Sequence, residues 1–162
     1  MARYSFEGFP EVFAATSADR NRVESGLKSG AIRRMRQALY TTNTIDSVET
    51  IVKRNLWQVV SILCKGCVVS HRTAAEGKPT TGGTVVVTGK YDRKITVPGL
   101  LIRQIKGPGP LQSDQPFING LYMSSRARFF LEVLSGKVYG TESPYLTTAQ
   151  VESLLERLMV IG

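Results

Sequence analysis

Residues 17–43 of the chain read SADRNRVESGLKSGAIRRMRQALYTTN. Val23 and Leu27 are four residues apart and give a helix a narrow apolar stripe. Gly30 follows where a helix commonly ends. Beyond it the periodicity changes to two, and Ile32–Arg36 predicts a β-strand. The stretch therefore predicts a short helix, a glycine turn and a basic strand.

This helix and strand are strongly basic. Six of the 21 lysines and arginines lie between Arg20 and Arg36, with only Asp19 and Glu24 against them. Adjacent basic elements favour contacts with nucleic-acid phosphates, and the alternative is a solvated edge strand that its charges protect from pairing. On the helix, Arg20, Arg22 and Lys28 are predicted to contact phosphates or base edges. On the strand, Arg33, Arg34 and Arg36 are predicted to contact backbone phosphates.

The residues in front of this stretch predict another short helix. Phe6, Phe9 and Phe13 are spaced for one helical face, and Pro10 suits a first helical position. Ser17 is a candidate N-cap for the helix that follows. Two helices followed by a basic hairpin predict a winged helix-turn-helix over residues 1–43.

The rest of the chain predicts a mixed α/β body over 44–135, then a linker and an amphipathic helix over 136–162, so the fold class is α+β. A strong helix is expected after Asp46, ending at Gly66. Further elements follow the apolar patterns: strands at 67–69, 84–88, 94–97, 100–105 and 121–123, and helices at 72–76, from Ser124 or Ser125 to Leu134, and after Thr147.

Composition sets further bounds. The chain has 162 residues, 42% of them hydrophobic, and a net charge of +8, which favours a polyanionic partner such as double-stranded DNA. Its two cysteines exclude a disulfide framework. We find neither a signal-peptide pattern nor an apolar run that could cross a bilayer, so we expect a cytoplasmic protein without a membrane partner.

The sequence offers little catalytic chemistry. Cys64 and Cys67 form a C-x-x-C, but zinc needs four ligands and a second pair is missing, so we interpret both as core residues. His71 with Arg72 and Glu76 forms a polar cluster, for which helix capping is a simpler explanation than acid–base catalysis. The glycine-rich loops lack a phosphate-binding motif. We therefore predict a non-enzymatic protein with no catalytic residue, metal or cofactor.

A second basic site is predicted at Ser124-Ser-Arg-Ala-Arg128. Hydroxyls and guanidinium groups at the start of a helix favour anions. Arg126 and Arg128 are accordingly candidates for contact with an anion or an acidic partner. The alternative is an ordinary N-cap with solvated arginines.

The pattern V-x-x-x-L-x-x-x-G-x-I-R-R-x-x-x-A-L-Y-T-T resembles the winged helix of AbiEi-type antitoxins, regulators of type IV toxin–antitoxin systems in phage defence. The family more often has glycine where this chain has Ala38. The later segments VVSHRTAAEG, RKITVPGLLIRQIKGPGPL and LYMSSRARFFLEVL resemble the region after that winged helix. The resemblance implies a DNA-binding regulator that represses its own operator as a homodimer or as two monomers on repeated sites, with a cognate toxin as partner.

The same segments are similar to the N-terminal region of some Fic-domain proteins. This alternative makes the chain a non-catalytic regulatory part of a larger AMP-transferase that continues past Gly162. The Fic motif H-P-F-x-x-G-N-G-R is absent from these 162 residues. A fused Fic domain would then be the partner in place of a toxin.

Overall fold

We describe residues 4–161 of a computed structural model, which is a mixed α+β structure with two sheets. Residues 1–3 and 162 lie outside this description, as does the predicted continuation past Gly162. Contacts divide the chain into two compact units, one of residues up to Lys65 with Val97–Leu100 and one of Gly66–Thr96 with Leu101 onwards. The boundary follows Lys65, whereas the sequence placed segment boundaries after residues 43 and 135.

The first unit begins with a three-stranded antiparallel sheet in the order β1-β3-β2. Tyr40 of β3 pairs with Phe13 of β1 on one side and with Arg34 of β2 on the other, so β3 is the central strand. The predicted helix and basic strand are confirmed as α1 and β2. The elements of this unit are β1 (Val12–Ala14), a 3-10 turn (Ser17–Asp19), α1 (Arg20–Ser29), β2 (Arg33–Arg36), β3 (Leu39–Thr41), α2 (Val48–Arg54) and α3 (Leu56–Leu63).

Two sequence predictions for this unit are wrong. Residues 4–16 contain a strand and no helix, because the phenylalanines pack as a cluster around Val23 of α1 and not along a helical face. Thr16, and not Ser17, precedes the 3-10 turn in a capping box with Asp19. The winged helix-turn-helix is thus not confirmed, since a single α-helix precedes the hairpin within residues 4–43.

The helix predicted from Asp46 to Gly66 is also divided in two. It begins after Ser47, whose hydroxyl accepts a hydrogen bond from the Thr50 amide at 3.2 Å. Asn55 then interrupts it with a non-helical backbone (φ −112°, ψ 31°), and α3 starts at the next residue. The carbonyl of Ile51 accepts two hydrogen bonds from Asn55, one from its backbone amide at 3.0 Å and one from its side chain at 2.9 Å.

Helices pack on both faces of the first sheet. Phe13 and Tyr40 face α1 and form a core with Val23 and Ile32, where the Phe13 and Tyr40 rings stack at 5.9 Å. The alternate residues of the same strands, Val12 and Leu39, are fully buried on the side that α3 contacts. Burial on both faces explains why all three residues of β3 are buried.

A polar network around Glu11 joins the start of β1 to the helices that follow the sheet. The Glu11 carboxylate accepts hydrogen bonds from Arg54 Nε at 3.0 Å and from Asn55 Nδ2 at 2.6 Å. Asn43 Nδ2 donates to Glu11 at 2.8 Å and to Asp46 at 2.9 Å. Arg54 also pairs with Asp46 at 2.9 Å. The network therefore holds strand, turn and helix through one carboxylate.

The second unit is built on a six-stranded mixed sheet in the order β6-β7-β5-β4-β9-β8. Strand β5 runs parallel to β7 and antiparallel to β4, and β4 runs parallel to β9. All six residues of β5 are buried, as expected for a central strand covered on both faces. The strands are β4 (Val68–Val69), β5 (Thr84–Gly89), β6 (Arg93–Val97), β7 (Leu100–Lys106), β8 (Gln115–Pro116) and β9 (Tyr122–Met123).

Within the described residues, this unit contains the α-helices α4 (His71–Glu76), α5 (Arg126–Leu134) and α6 (Thr148–Ile161). Phe129 and Val133 of α5 form a core with Leu146, Val151 and Leu154. The predicted caps are confirmed: the Ser125 hydroxyl accepts from the Arg128 amide at 3.3 Å, and the Thr147 hydroxyl accepts from the Gln150 amide at 3.3 Å. Val151 and Leu154 of the apolar stripe of α6 are thus buried in this core, whereas Met159, Val160 and Ile161 are exposed.

The Glu11 network predicts a pH-dependent stability. The Arg54 side chain is the main cause that lowers the pKa of Glu11 from 4.5 to about 2. A lowered pKa stabilises the fold above the unfolded-state pKa, and this contribution is lost as the pH falls from about 4.5 towards 2. We expect Glu11→Gln to lower the free energy of unfolding by about 1–2 kcal/mol at pH 7, allowing for solvent screening.

Urea denaturation across this pH range is the measurement. The difference between the wild type and Glu11→Gln should shrink below pH 4.5. Glu7→Gln is the matched control, because Glu7 is an exposed carboxylate of the same segment. A difference between wild type and Glu11→Gln that stays constant with pH would contradict the assignment.

Candidate nucleic-acid interface

Helix α1 presents its basic residues to solvent and its apolar stripe to the sheet. Val23 is buried, whereas Arg20 and Lys28 are exposed. Lys28 pairs with Glu24 at 2.9 Å, an exposed pair four residues apart that contributes little. Gly30 ends the helix in the left-handed conformation (φ 73°), as the sequence predicted.

The β2–β3 hairpin alternates exposed arginines with half-buried residues. Arg34 and Arg36 are exposed, and Arg33 and Met35 are half-buried. The Arg34 guanidinium lies 5.7 Å from the centre of the Tyr40 ring on the neighbouring strand, which orients it by a cation–π contact. A β-bulge lies between Arg34 and Arg36, so that Arg34 pairs with Tyr40 and Arg36 with Leu39, and both arginines are exposed.

A groove of about 450 Å³ runs between α1 and this hairpin. Val23, Leu27 and Tyr40 line it with apolar surface. Arg20 from α1 and Arg34 from β2 also line it, so cations of both elements meet at one groove, where the carboxylate of Glu24 is paired with Lys28. An apolar groove with guanidinium groups from two elements can accept the sugar–phosphate edge of a nucleic acid.

Arg22, by contrast, makes internal contacts. Its guanidinium stacks 4.2 Å from the centre of the Phe9 ring and 5.3 Å from that of Phe6, and NH2 donates to the Ser5 carbonyl at 2.5 Å. Phe6 and Phe9 explain this, because a guanidinium is weakly hydrated and is attracted to the faces of aromatic rings. Arg22 thus serves to attach the N-terminal segment to α1.

Arg33 is likewise engaged inside the first unit. Its NH2 group donates to the carbonyls of Asp46 at 2.5 Å and Asn43 at 3.3 Å. The side chain is half-buried and closes the turn that precedes α2. Two of the six basic residues predicted to contact DNA, Arg22 and Arg33, thus bond to groups inside the unit. The other four are exposed to solvent: Arg20, Lys28, Arg34 and Arg36.

The second predicted basic site is corrected by the structure. Arg126 is exposed, but Arg128 is buried and donates to the Glu132 carboxylate at 2.8 Å and to the carbonyls of Pro108 at 2.8 Å and Gly109 at 3.0 Å. It also pairs with the fully buried carboxylate of Asp114. Arg128 is therefore neither a solvated arginine nor an available anion contact.

The Asp114 carboxylate is the other half of this buried pair. Burial alone would raise its pKa, but the amides of Leu111 and Ser125 and the Arg128 guanidinium donate to it, and its pKa is lowered. The pair holds the irregular loop before β8 against the start of α5. A buried charge needs such partners, and this explains the position of Arg128.

His71 lies in a buried cluster and is separate in its contacts from Arg72 and Glu76. Its Nδ1 lies 2.9 Å from Ser70 Oγ and 3.9 Å from the Glu132 carboxylate. Burial lowers the pKa of His71. In a serine–histidine–acid triad the serine and the acid meet opposite ring nitrogens, whereas here both lie at Nδ1 and Ser70 is fully buried.

The two cysteines are core residues, as predicted. Cys64 ends α3 and Cys67 precedes β4, and both are buried and unbridged. Among residues 4–161 no group of three or more histidine, cysteine, aspartate or glutamate side chains is arranged to hold a metal ion.

Comparisons with known proteins returned no match: a scan of family models, a search of curated proteins and a search of solved structures each found none. None of the helices described within residues 4–161 combines the length and apolar character that a bilayer crossing requires. The interpretation of the site therefore rests on its geometry and charge.

The turn between β2 and β3 contains a residue with a strained backbone conformation. Ala38 has a left-handed backbone (φ 61°), which costs a non-glycine residue about 1–2 kcal/mol. We expect Ala38→Gly to raise the free energy of unfolding by about 1 kcal/mol, measured by thermal or urea denaturation. Ala31→Gly, at an exposed position outside the left-handed region, should lower it by about 0.5–1 kcal/mol. Equal effects at the two positions would exclude backbone strain at Ala38.

Proposed function

We propose that this protein is a DNA-binding transcriptional regulator that uses α1 and the β2–β3 hairpin to contact duplex DNA. The observation that carries the proposal is the groove between these elements, which is lined by the exposed Arg20 of α1 and the exposed Arg34 of β2. The net charge of +8 supports it, because a cationic protein is attracted to DNA at long range.

In this proposal α1 enters the major groove and the hairpin lies along the phosphate backbone. An α-helix with its side chains is about 10–12 Å across, and the major groove is about 12 Å wide. Arg20 and Lys28 would reach base edges or phosphates from the helix, and Arg34 and Arg36 would contact phosphates from the strand. The sheet order β1-β3-β2 and the position of α1 before the hairpin support a reduced winged helix.

We further propose an AbiEi-type antitoxin role on the basis of the sequence resemblance. The protein would repress its own operator in the cytoplasm, as a homodimer or as two monomers on repeated sites. A cognate toxin encoded beside it would be its second partner. This role depends on DNA binding, so the test of DNA binding comes first.

The direct test is the salt dependence of binding to a duplex taken from the promoter of its own gene. Fluorescence anisotropy gives the slope of log K against log salt, and each phosphate contact contributes about 0.9 to that slope. The double variant Arg34→Gln/Arg36→Gln should reduce the slope by about 1–2. Arg20→Gln should weaken binding by about 1–3 kcal/mol if Arg20 reads a base edge.

Lys53→Gln is the matched control for the loss of one positive charge. Lys53 is an exposed lysine of the same unit, on α2 and paired with Glu49 at 2.8 Å, and it does not line the groove. Its slope should equal that of the wild type. The proposal is rejected if the promoter duplex does not bind in low salt, or if Lys53→Gln and the hairpin variant change the slope equally.

The Arg33→Gln variant distinguishes a structural role of Arg33 from a contact with DNA. Arg33 donates to two turn carbonyls, so its loss should lower the free energy of unfolding by about 1–3 kcal/mol. The salt slope of the folded variant should stay at the wild-type value, because the guanidinium is engaged internally. Urea denaturation and anisotropy on the same preparation measure both quantities. A reduced salt slope with an unchanged free energy of unfolding would indicate instead that Arg33 contacts DNA.

A further inference from the structure

The second unit contains a pocket of about 610 Å³ between α4, the loop after it and α6. Arg72 and Glu76 line it from α4, Lys78 from the loop, and Leu154 and Arg157 from α6. Its volume lies within the range of about 300–1,000 Å³ that is typical of small-molecule sites. The proposed DNA interface does not involve this pocket, and of its lining residues Arg72 and Glu76 were interpreted from the sequence only as part of a polar cluster with His71.

Arg72 is the fixed cation of the pocket. Its side chain is only 16% exposed, its Nε donates to the Glu76 carboxylate at 3.0 Å, and NH1 donates to the Thr141 carbonyl at 2.5 Å. These bonds hold the guanidinium plane before any ligand arrives, so little side-chain entropy is lost on binding. Arg72 also neutralises Glu76, the acidic residue among those that line the pocket.

The two other cations of the pocket are not neutralised in this way. Lys78 and Arg157 are exposed, and none of the ion pairs among residues 4–161 includes either of them. Arg157 makes a weak contact at 3.4 Å between its Nε and the Ser153 carbonyl of its own helix. The charges of Arg72 and Glu76 cancel each other, so Lys78 and Arg157 leave the lining with a net charge of +2.

We propose that this pocket binds an organic phosphate monoester of nucleotide size. A phosphate monoester carries about −1.5 to −2 charge at pH 7, which matches the excess of +2. The side chains of Lys78 and Arg157 would supply charge-assisted hydrogen bonds to it. Ala75, Pro79 and the small exposed part of Leu154 give the lining an apolar part, against which the organic portion of the ligand packs.

Adenosine monophosphate is the probe, and isothermal titration calorimetry on the full chain is the measurement. We expect it to bind with a Kd of about 1 mM or tighter, and adenosine, which lacks the phosphate, to bind at least about tenfold more weakly. Inorganic phosphate should also bind more weakly than the nucleotide, because it leaves the apolar wall uncovered. No heat of binding at about 10 mM nucleotide, or equal affinity for adenosine, overturns the proposal.

Lys78→Gln and Arg157→Gln test the site itself. Both side chains are exposed, so the variants should fold, and the melting temperature without ligand checks this. Each should weaken nucleotide binding by about fivefold, and the double variant by more. Lys137→Gln, an exposed lysine of the same unit that does not line the pocket, is the matched control and should bind as the wild type does. Unchanged affinity in the double variant, or equal losses in the control, overturns the proposal.

Discussion

The first unit depends on one carboxylate. Glu11 stands just before β1 and accepts from Arg54, Asn55 and Asn43, so it joins the edge of the sheet to the turn and helices that follow it. Arg33 bonds the same turn from β2 through the carbonyls of Asn43 and Asp46. The outer strands β1 and β2 are thus both attached to residues 43–55, and the hairpin is held in place for any role in binding.

The second unit uses a similar arrangement with the charges buried. Arg128 and Asp114 form a pair inside the unit, and Arg128 also bonds the carbonyls of the loop at Pro108 and Gly109. In each unit an arginine satisfies backbone carbonyls that regular structure leaves open. Arginine suits this task because its donors form a planar fork and it stays charged at any physiological pH.

Much of the fold could be predicted from the sequence, because local patterns specify it. The stripe of Val23 and Leu27 with Gly30 after it predicted α1, and the apolar patterns predicted β5, β6 and β7. The errors arose where tertiary contacts decide. The phenylalanines before α1 have helical spacing, yet they pack as a cluster around Val23, with Phe6 and Phe9 also contacting Arg22. Asn55 breaks a helix without a glycine or proline to mark the position.

The candidate site could be predicted only in part. Sequence indicated six basic residues around α1 and β2, but the period of a strand does not tell which arginine bonds a distant turn carbonyl. Arg22 could have been separated from the others by the aromatic residues before it, which are natural partners of a guanidinium. The pocket around Arg72 was missed because Arg157 comes from a helix far along the chain from Arg72 and Lys78, and the three cations form no motif.

Strand β5 has a consequence for how this protein unfolds. The ten residues from Thr80 to Gly89 contain no charged side chain. The six of them that form β5 are all buried in the native sheet. An uncharged stretch rich in valine and threonine promotes intermolecular β-aggregation once it is exposed. Lys78 and Lys90 flank it and act as gatekeepers against such assembly. Recovery of the native protein after denaturation will therefore depend on protein concentration, with dilution favouring refolding over aggregation.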